Sequence, residues 1–230
     1  MCRVQLTTQR VAAAKRRNKK VFVYCWRGGM RSNSFAWLMN TAGLNATVLN
    51  GGYKKFRNYV LESFKNPLKL FLIGGPTGGG KSAVLRVLQN KGEQIIDLEK
   101  LAHHKGSAFG SVNEEKQLPQ QHFEHGIFSA LVNLDHSRPI WVEDEAMTIG
   151  WNKIPFDFWL QMKNAPIFRL EVPFDIRVKR LVQDYSTTDI EQLRKPLVTI
   201  GKKLGGQHLK AALEHLDKHE LDKVAEIALK

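Results

Sequence analysis

Cysteine is almost missing from this chain: Cys2 and Cys25 are the only two in 230 residues. Two thiols so far apart make neither a disulfide framework nor a zinc site, so a reducing, cytoplasmic setting is expected. Long apolar runs are missing too. None approaches the roughly 20 residues of a membrane-spanning helix, and no secretory-type apolar core opens the chain. No membrane partner is expected. Repeats and low-complexity tracts are absent, which with the ordinary 43% hydrophobic content excludes a collagen-like, rod-like or mainly disordered chain.

Acid is scarce in one place only. Residues 1–67 carry thirteen Lys/Arg and a single acid, Glu62, whereas residues 68–230 carry 22 basic and 21 acidic residues. Nearly all of the formal +13 therefore sits in the first third. A block of that density attracts phosphate polymers or anionic surfaces, although a solvated basic helix has the same composition. The first twenty residues hold seven Lys/Arg and no acid, as a basic tail or a mitochondrial-type presequence does.

Strand and helix signals alternate along the chain. Val21–Tyr24, Ala46–Leu49, Leu68–Ile73, Gln94–Ile96, Pro139–Val142 and Pro166–Val172 read as short strands. Helices are expected from Ser32, as N-cap, to Gly43, then through Phe56–Phe64, Lys81–Asn90, Gln120–Leu134 and Phe174–Gln183. Residues 98–118 read as irregular. From Asp189 onward the pattern is helical, with a break at Gly205-Gly206. Such alternation implies an α/β fold with parallel sheets. Asn66-Pro67 is the expected boundary, giving residues 1–66, 67–185 and a helical region 186–230.

Two loops carry chemistry. In Cys25-Trp-Arg-Gly-Gly-Met-Arg31-Ser32 a cysteine lies between a strand and a helix. Backbone N–H groups there converge on one point, and the helix N-terminus adds positive partial charge, so a thiol loses its proton more easily. Gly28 and Gly29 let the backbone turn close to the sulfur. Arg31 is placed to reach back to an oxyanion in the loop, with Arg27 and Ser32 beside it. The second loop, Gly75-Pro-Thr77-Gly78-Gly79-Gly80-Lys81-Ser82, matches G-x-x-x-x-G-K-[ST] between a strand and a helix. Its N–H groups surround a phosphate, Lys81 supplies charge, and Ser82 binds Mg²⁺ if the ligand is a nucleotide. Glu143-Asp144-Glu145 ends a neighbouring strand, where phosphate-loop proteins place a metal-linked carboxylate. Asp97 ends another. His103, His104, His122 and His125 make no metal pattern.

The cysteine segment and Asn50-Gly-Gly-Tyr53 resemble the active-site half of a rhodanese domain. Taken with the phosphate loop, with Asp97–Gly110 and with Trp141–Glu145, the chain resembles the tRNA 2-selenouridine synthase family nearly throughout. That resemblance implies a partial rhodanese-like domain followed by a P-loop NTPase-like parallel-sheet domain. It also implies tRNA as partner, and replacement of the sulfur of wobble 2-thiouridine by selenium from selenophosphate, by way of S-geranylation from geranyl diphosphate. Cys25 would then handle selenium, and the phosphate loop would bind a diphosphate of the prenyl donor or of ATP. The family's first domain has further elements ahead of the cysteine strand. Only 20 residues precede Val21 here, so an N-terminally shortened domain is expected. The alternatives are a P-loop small-molecule kinase or NTPase, a non-catalytic remnant that binds tRNA, and a cysteine-dependent phosphatase.

Overall fold

A computed structural model describes residues 20–229. The expectations about residues 1–19 (the basic tail or presequence, and Cys2) lie outside the described residues. The chain divides into two compact units, Met1–Ser63 and Phe64–Lys230.

The N-terminal unit is a small βαβ arrangement. Strand β1 (Lys20–Val23) pairs in parallel with β2 (Asn45–Val48), in the register Val21↔Ala46 and Val23↔Val48. A parallel pair needs a crossover, and helix α1 (Met30–Thr41) supplies it. Val23, Ala36, Met39 and Leu44 are buried together, with Val21, Phe35 and Val48 packed against them. Helix α2 (Gly52–Ser63) follows the Asn50-Gly51 turn.

The C-terminal unit is built on four parallel strands in the order β4-β5-β3-β8. These are β3 (Leu70–Gly74), β4 (Gln94–Ile96), β5 (Ile140–Glu143) and β8 (Ile167–Arg169). The two central strands are apolar on both faces: Leu70, Leu72, Ile73, Ile140 and Val142 are all buried. That is the pattern of a parallel sheet covered on both sides. The edge strand β8 is exposed along its length. Phe71, Trp141 and Phe168 stack across three strands, with ring centroids 5.2–5.8 Å apart. Helix α3 (Lys81–Asn90) packs on the sheet through Leu85, which has no exposed surface; its replacement by Ala would cost about 2–5 kcal/mol.

Residues 98–118 are not wholly irregular. Asp97 caps a five-residue helix, α4 (Leu98–Ala102), by accepting from the Lys100 N–H at 2.8 Å. Short apolar spacing gives so small a helix no readable period, and its cap is the only local signal. Helix α5 (Gln120–Val132) and the two-residue strands β6 (Thr148–Ile149) and β7 (Asn152–Lys153) follow. Gln117 ties that hairpin down. Its side-chain amide donates to the Ala102 and Ile149 carbonyls, and its oxygen accepts from the Trp151 N–H. Helix α6 (Phe156–Lys163) precedes β8.

The last four helices are α7 (Phe174–Tyr185), α8 (Ile190–Leu204), α9 (Gly206–Asp217) and α10 (Leu221–Ala228). Asp189 caps α8, and Gly205 separates α8 from α9. Leu193, Leu197, Ala212, Leu216 and Val224 form their shared core, together with Val112. Because β3, β4 and β5 run the same way, their carboxyl ends open on one edge of the sheet. In open α/β sheets that edge is where ligands bind.

Candidate active sites

The thiol site is built by two glycine turns pressed together. Cys25 follows β1, and α1 begins at Met30 with Gly29 as its N-cap. Ser32 is therefore not the N-cap that the sequence suggests. It lies in the first turn, buried, and its hydroxyl donates to the Gly29 carbonyl at 2.9 Å and sits 3.5 Å from the Cys25 Sγ. The helix starts earlier because Gly29, in extended backbone, already accepts from the Ser32 and Asn33 N–H groups. The Tyr53 and Lys54 N–H groups, opening α2, donate to the Cys25 and Trp26 carbonyls at 3.0 and 2.9 Å. This anchors the carbonyls of the loop to α2. The Ser32 hydroxyl, with backbone N–H groups of Gly29, Arg27 and Gly28, brings the thiol down from its ordinary 9.0 to about 6, against a weaker upward push from burial. Tyr24 and Trp26 flank the loop and lie against Tyr53, with centroids 6.2 and 5.7 Å away.

Gly52 shows how close the two turns lie. Its φ is +63°, and a Cβ there would stand 2.3 Å from both the Cys25 carbonyl oxygen and the Gly28 nitrogen. Gly52→Ala is expected to cost about 1–2 kcal/mol for the left-handed backbone alone, and the clash forces the turns apart. Thermal unfolding of the variant should occur at lower temperature, and the pH at which Cys25 reacts should move upward. An unshifted thiol would mean that α2 does not hold the loop.

The phosphate site runs from Gly75 to Ser82, between β3 and α3. Gly80 caps α3 in the left-handed region, with φ +82°. Lys81 Nζ lies 3.6 Å from Glu145 Oε1. The Ser82 hydroxyl donates to Glu99 Oε2 at 2.9 Å. Glu99 and Glu145 are themselves hydrogen-bonded. Burial pushes the Glu145 carboxyl up to about 7, against the pull of Lys81 and with the help of the Glu99 charge. Burial also raises Glu99, while the Ser82 hydroxyl and Lys81 pull it back. A cavity of about 550 Å³ opens here, and Lys81, Ser82, Glu99, Asp144 and Glu145 are among its lining.

The four acids suggested by the sequence thus separate. Glu145 lines the cavity beside Lys81, and Asp144 lines it as well. Asp97 lines it too but serves chiefly as a helix cap. Glu143 is fully buried beneath, accepting from the Leu98 N–H at 3.2 Å. Among the described residues no group of three or more His, Cys, Asp or Glu could hold a metal ion. A Mg²⁺ bound with a diphosphate would draw on the Ser82 hydroxyl and one carboxylate, a small set that suits a metal ligated mainly by phosphate and water.

Glu99, a weaker candidate from the sequence, is the partner of Ser82. Two further residues at the site have no motif to announce them. Arg177 donates to the Thr77 carbonyl and Arg180 to the Gly78 carbonyl, each at 2.9 Å. A Cβ on Gly80 would meet Arg180 Nη1 at 2.3 Å, so the guanidinium lies directly against the loop. The one trace in the sequence is the i,i+3 spacing of the two arginines, which puts them on one face of α7.

Comparison with known proteins settles the family. Residues 68–226 match the model described as the tRNA 2-selenouridine synthase AAA domain, and residues 4–59 match a rhodanese-like domain. The chain belongs to the tRNA 2-selenouridine synthase family. Curated tRNA 2-selenouridine synthases resemble it over most of its length. That of Bdellovibrio bacteriovorus is 34% identical, over 93% of this chain and 65% of the relative. That of Shewanella frigidimarina is 33% identical, over 84% of this chain and 52% of the relative. That of Nitrosomonas europaea is 34% identical, over 76% and 47%. The chain thus spans about half to two thirds of the length of these family members. The mixed α/β architecture, with its parallel sheet and helical C-terminal region, is the one expected from the sequence. No described helix is long and apolar enough to cross a membrane.

Proposed function

We propose that this chain modifies tRNA, exchanging the sulfur of wobble 2-thiouridine for selenium in two steps. One observation carries the reading: a cysteine loop that favours a thiolate and a complete phosphate loop occur on one chain, within a family whose relatives are named for 2-selenouridine synthesis.

In the first step the 2-thiouridine sulfur attacks C1 of geranyl diphosphate. The S–C bond forms, the C–O bond breaks, the base gives up its N3 proton to water, and diphosphate leaves with its charge held by Lys81 and the loop N–H groups. In the second step the selenium of selenophosphate attacks C2 of the base. The C–Se bond forms, the C–S bond breaks, and geranyl thiol departs after taking up a proton. Water then cleaves the Se–P bond and phosphate is released. Alkylation comes first because a thione sulfur has no easy way to leave, whereas a thioether leaves as a thiol. Cys25 handles the selenium, and Arg27, Gly28, Gly29, Arg31 and Ser32 cradle its anion. The basic residues of the first third meet tRNA phosphates.

Nucleoside mass spectrometry tests this directly. The chain, mixed with 2-thiouridine tRNA, selenophosphate and geranyl diphosphate, should yield 2-selenouridine at the wobble position. With selenophosphate left out, the S-geranyl nucleoside should accumulate. Folded protein that yields neither nucleoside overturns the reading.

A further inference from the structure

Tyr24 and Trp26 stand on either side of Cys25 in the chain, and each keeps more than half of its surface in solvent: 55% for Tyr24 and 52% for Trp26. A single exposed ring is ordinary, but a group of rings beside a reactive thiol marks a contact surface. These rings are held in place. Both pack against Tyr53, whose own ring centroid lies 6.3 Å from that of Phe56. The Lys54 N–H donates to the Trp26 carbonyl at 2.9 Å, which fixes the backbone beneath the indole to the start of α2.

The charges around the rings select the ligand. From residue 20 to residue 63 six side chains are basic and one, Glu62, is acidic. Arg27, Arg31, Lys54 and Lys55 are exposed, and they stand next to the rings in the two turns. An apolar protein face would leave those cations unpaired. Single-stranded nucleic acid uses both kinds of group, setting its phosphates on cations and its bases on ring faces. An enzyme that works on a base must also take that base out of its own stack, and a ring supplied by the protein offsets the loss. We propose that Trp26, backed by Tyr53, is the platform on which the target base of tRNA stacks beside Cys25. The proposal rests on the tRNA reading above and adds what holds the base at the thiol loop.

Binding of the full chain to two anticodon stem-loop RNAs tests it, one with 2-thiouridine at the wobble position and one abasic there. The wild type should bind the first about tenfold more tightly, the usual effect of one base stacked on a ring. Added salt should weaken both RNAs and leave their ratio unchanged, because phosphate contacts are screened and stacking is not. Trp26→Ala should bring the ratio close to one while the abasic RNA binds as before, and Trp26→Phe should restore most of it. Tryptophan emission gives an independent reading. The thiolated RNA should quench the wild type more than the abasic RNA does, and that excess should be missing from Trp26→Phe. This reading needs only the wild type and the conservative variant, so it stands even if Trp26→Ala does not fold. Equal wild-type affinities for the two RNAs would overturn the platform and leave the tRNA reading intact. So would a ratio that survives Trp26→Ala, or excess quenching that persists in Trp26→Phe. A wild type that binds neither RNA would overturn the tRNA reading, and the platform with it.

Discussion

Cys25 should react with iodoacetamide half-maximally near pH 6, three pH units below an ordinary thiol. Only the thiolate attacks, so the rate of alkylation traces its population. Above pH 7 the rate should be flat, because nearly every Cys25 is already ionised. Ser32→Ala removes the largest contribution to the lowered value, and the half-point should climb towards 9.0. The hydroxyl's geometry explains the size of the effect. Its single proton serves the Gly29 carbonyl at 2.9 Å while the sulfur waits 3.5 Å away. When the thiol ionises, the hydroxyl turns to the sulfur. Cys25→Ser should abolish both alkylation at this position and incorporation of selenium into tRNA, while S-geranylation persists. Peptide mass mapping separates Cys25 from Cys2. A half-point near 9.0 in the wild type, or one indifferent to Ser32→Ala, would remove the thiolate from the mechanism.

Both loops were legible because each is a run of consecutive residues. Gly75–Ser82 and Cys25–Ser32 need only the chain's local path from strand to helix to aim their N–H groups. Long-range partners were not legible. Arg177 and Arg180 lie about a hundred residues from the loop carbonyls they hold, and only the packing of α7 brings them there. Asp97 and Glu99 carry the same weak signal in the sequence, yet Glu99 reaches Ser82 while Asp97 caps α4. The run Glu143-Asp144-Glu145 could not be divided by spacing alone. Strand β5 ends at Glu143, which is buried against Leu98, and only the path of the chain beyond the strand carries Glu145 to Lys81. The cavity lined by Leu181, Ile200 and Val224 arises where α7, α8 and α10 meet, and no single helix carries a signature of that meeting.

Glu143 makes the C-terminal unit lose stability as pH rises. It is fully buried, Oε1 has no hydrogen-bond partner among the described residues, and Oε2 accepts from the Leu98 N–H. Burial, with smaller contributions from the Asp97 and Glu99 charges, pushes the carboxyl up from 4.5 to about 9. Folded chains therefore hold a proton between those values that unfolded chains release. The stability this proton contributes is fully present below pH 4.5, falls through the window and is gone above about 9. The slope is on the order of 1.4 kcal/mol per pH unit for one proton. Glu143→Gln keeps the shape of the protonated side chain and cannot ionise, so it should remove about one proton's worth of slope. A shallower slope should persist from Glu145 and Glu99, both also raised. Urea titrations at pH 5.5, 7 and 8.5 (about one proton's window, sampled three times) would measure it. Reading them by tryptophan emission in a Trp26→Phe, Trp37→Phe background confines the signal to the C-terminal unit. A variant as pH-sensitive as its parent would show that Glu143 is ionised in the folded protein.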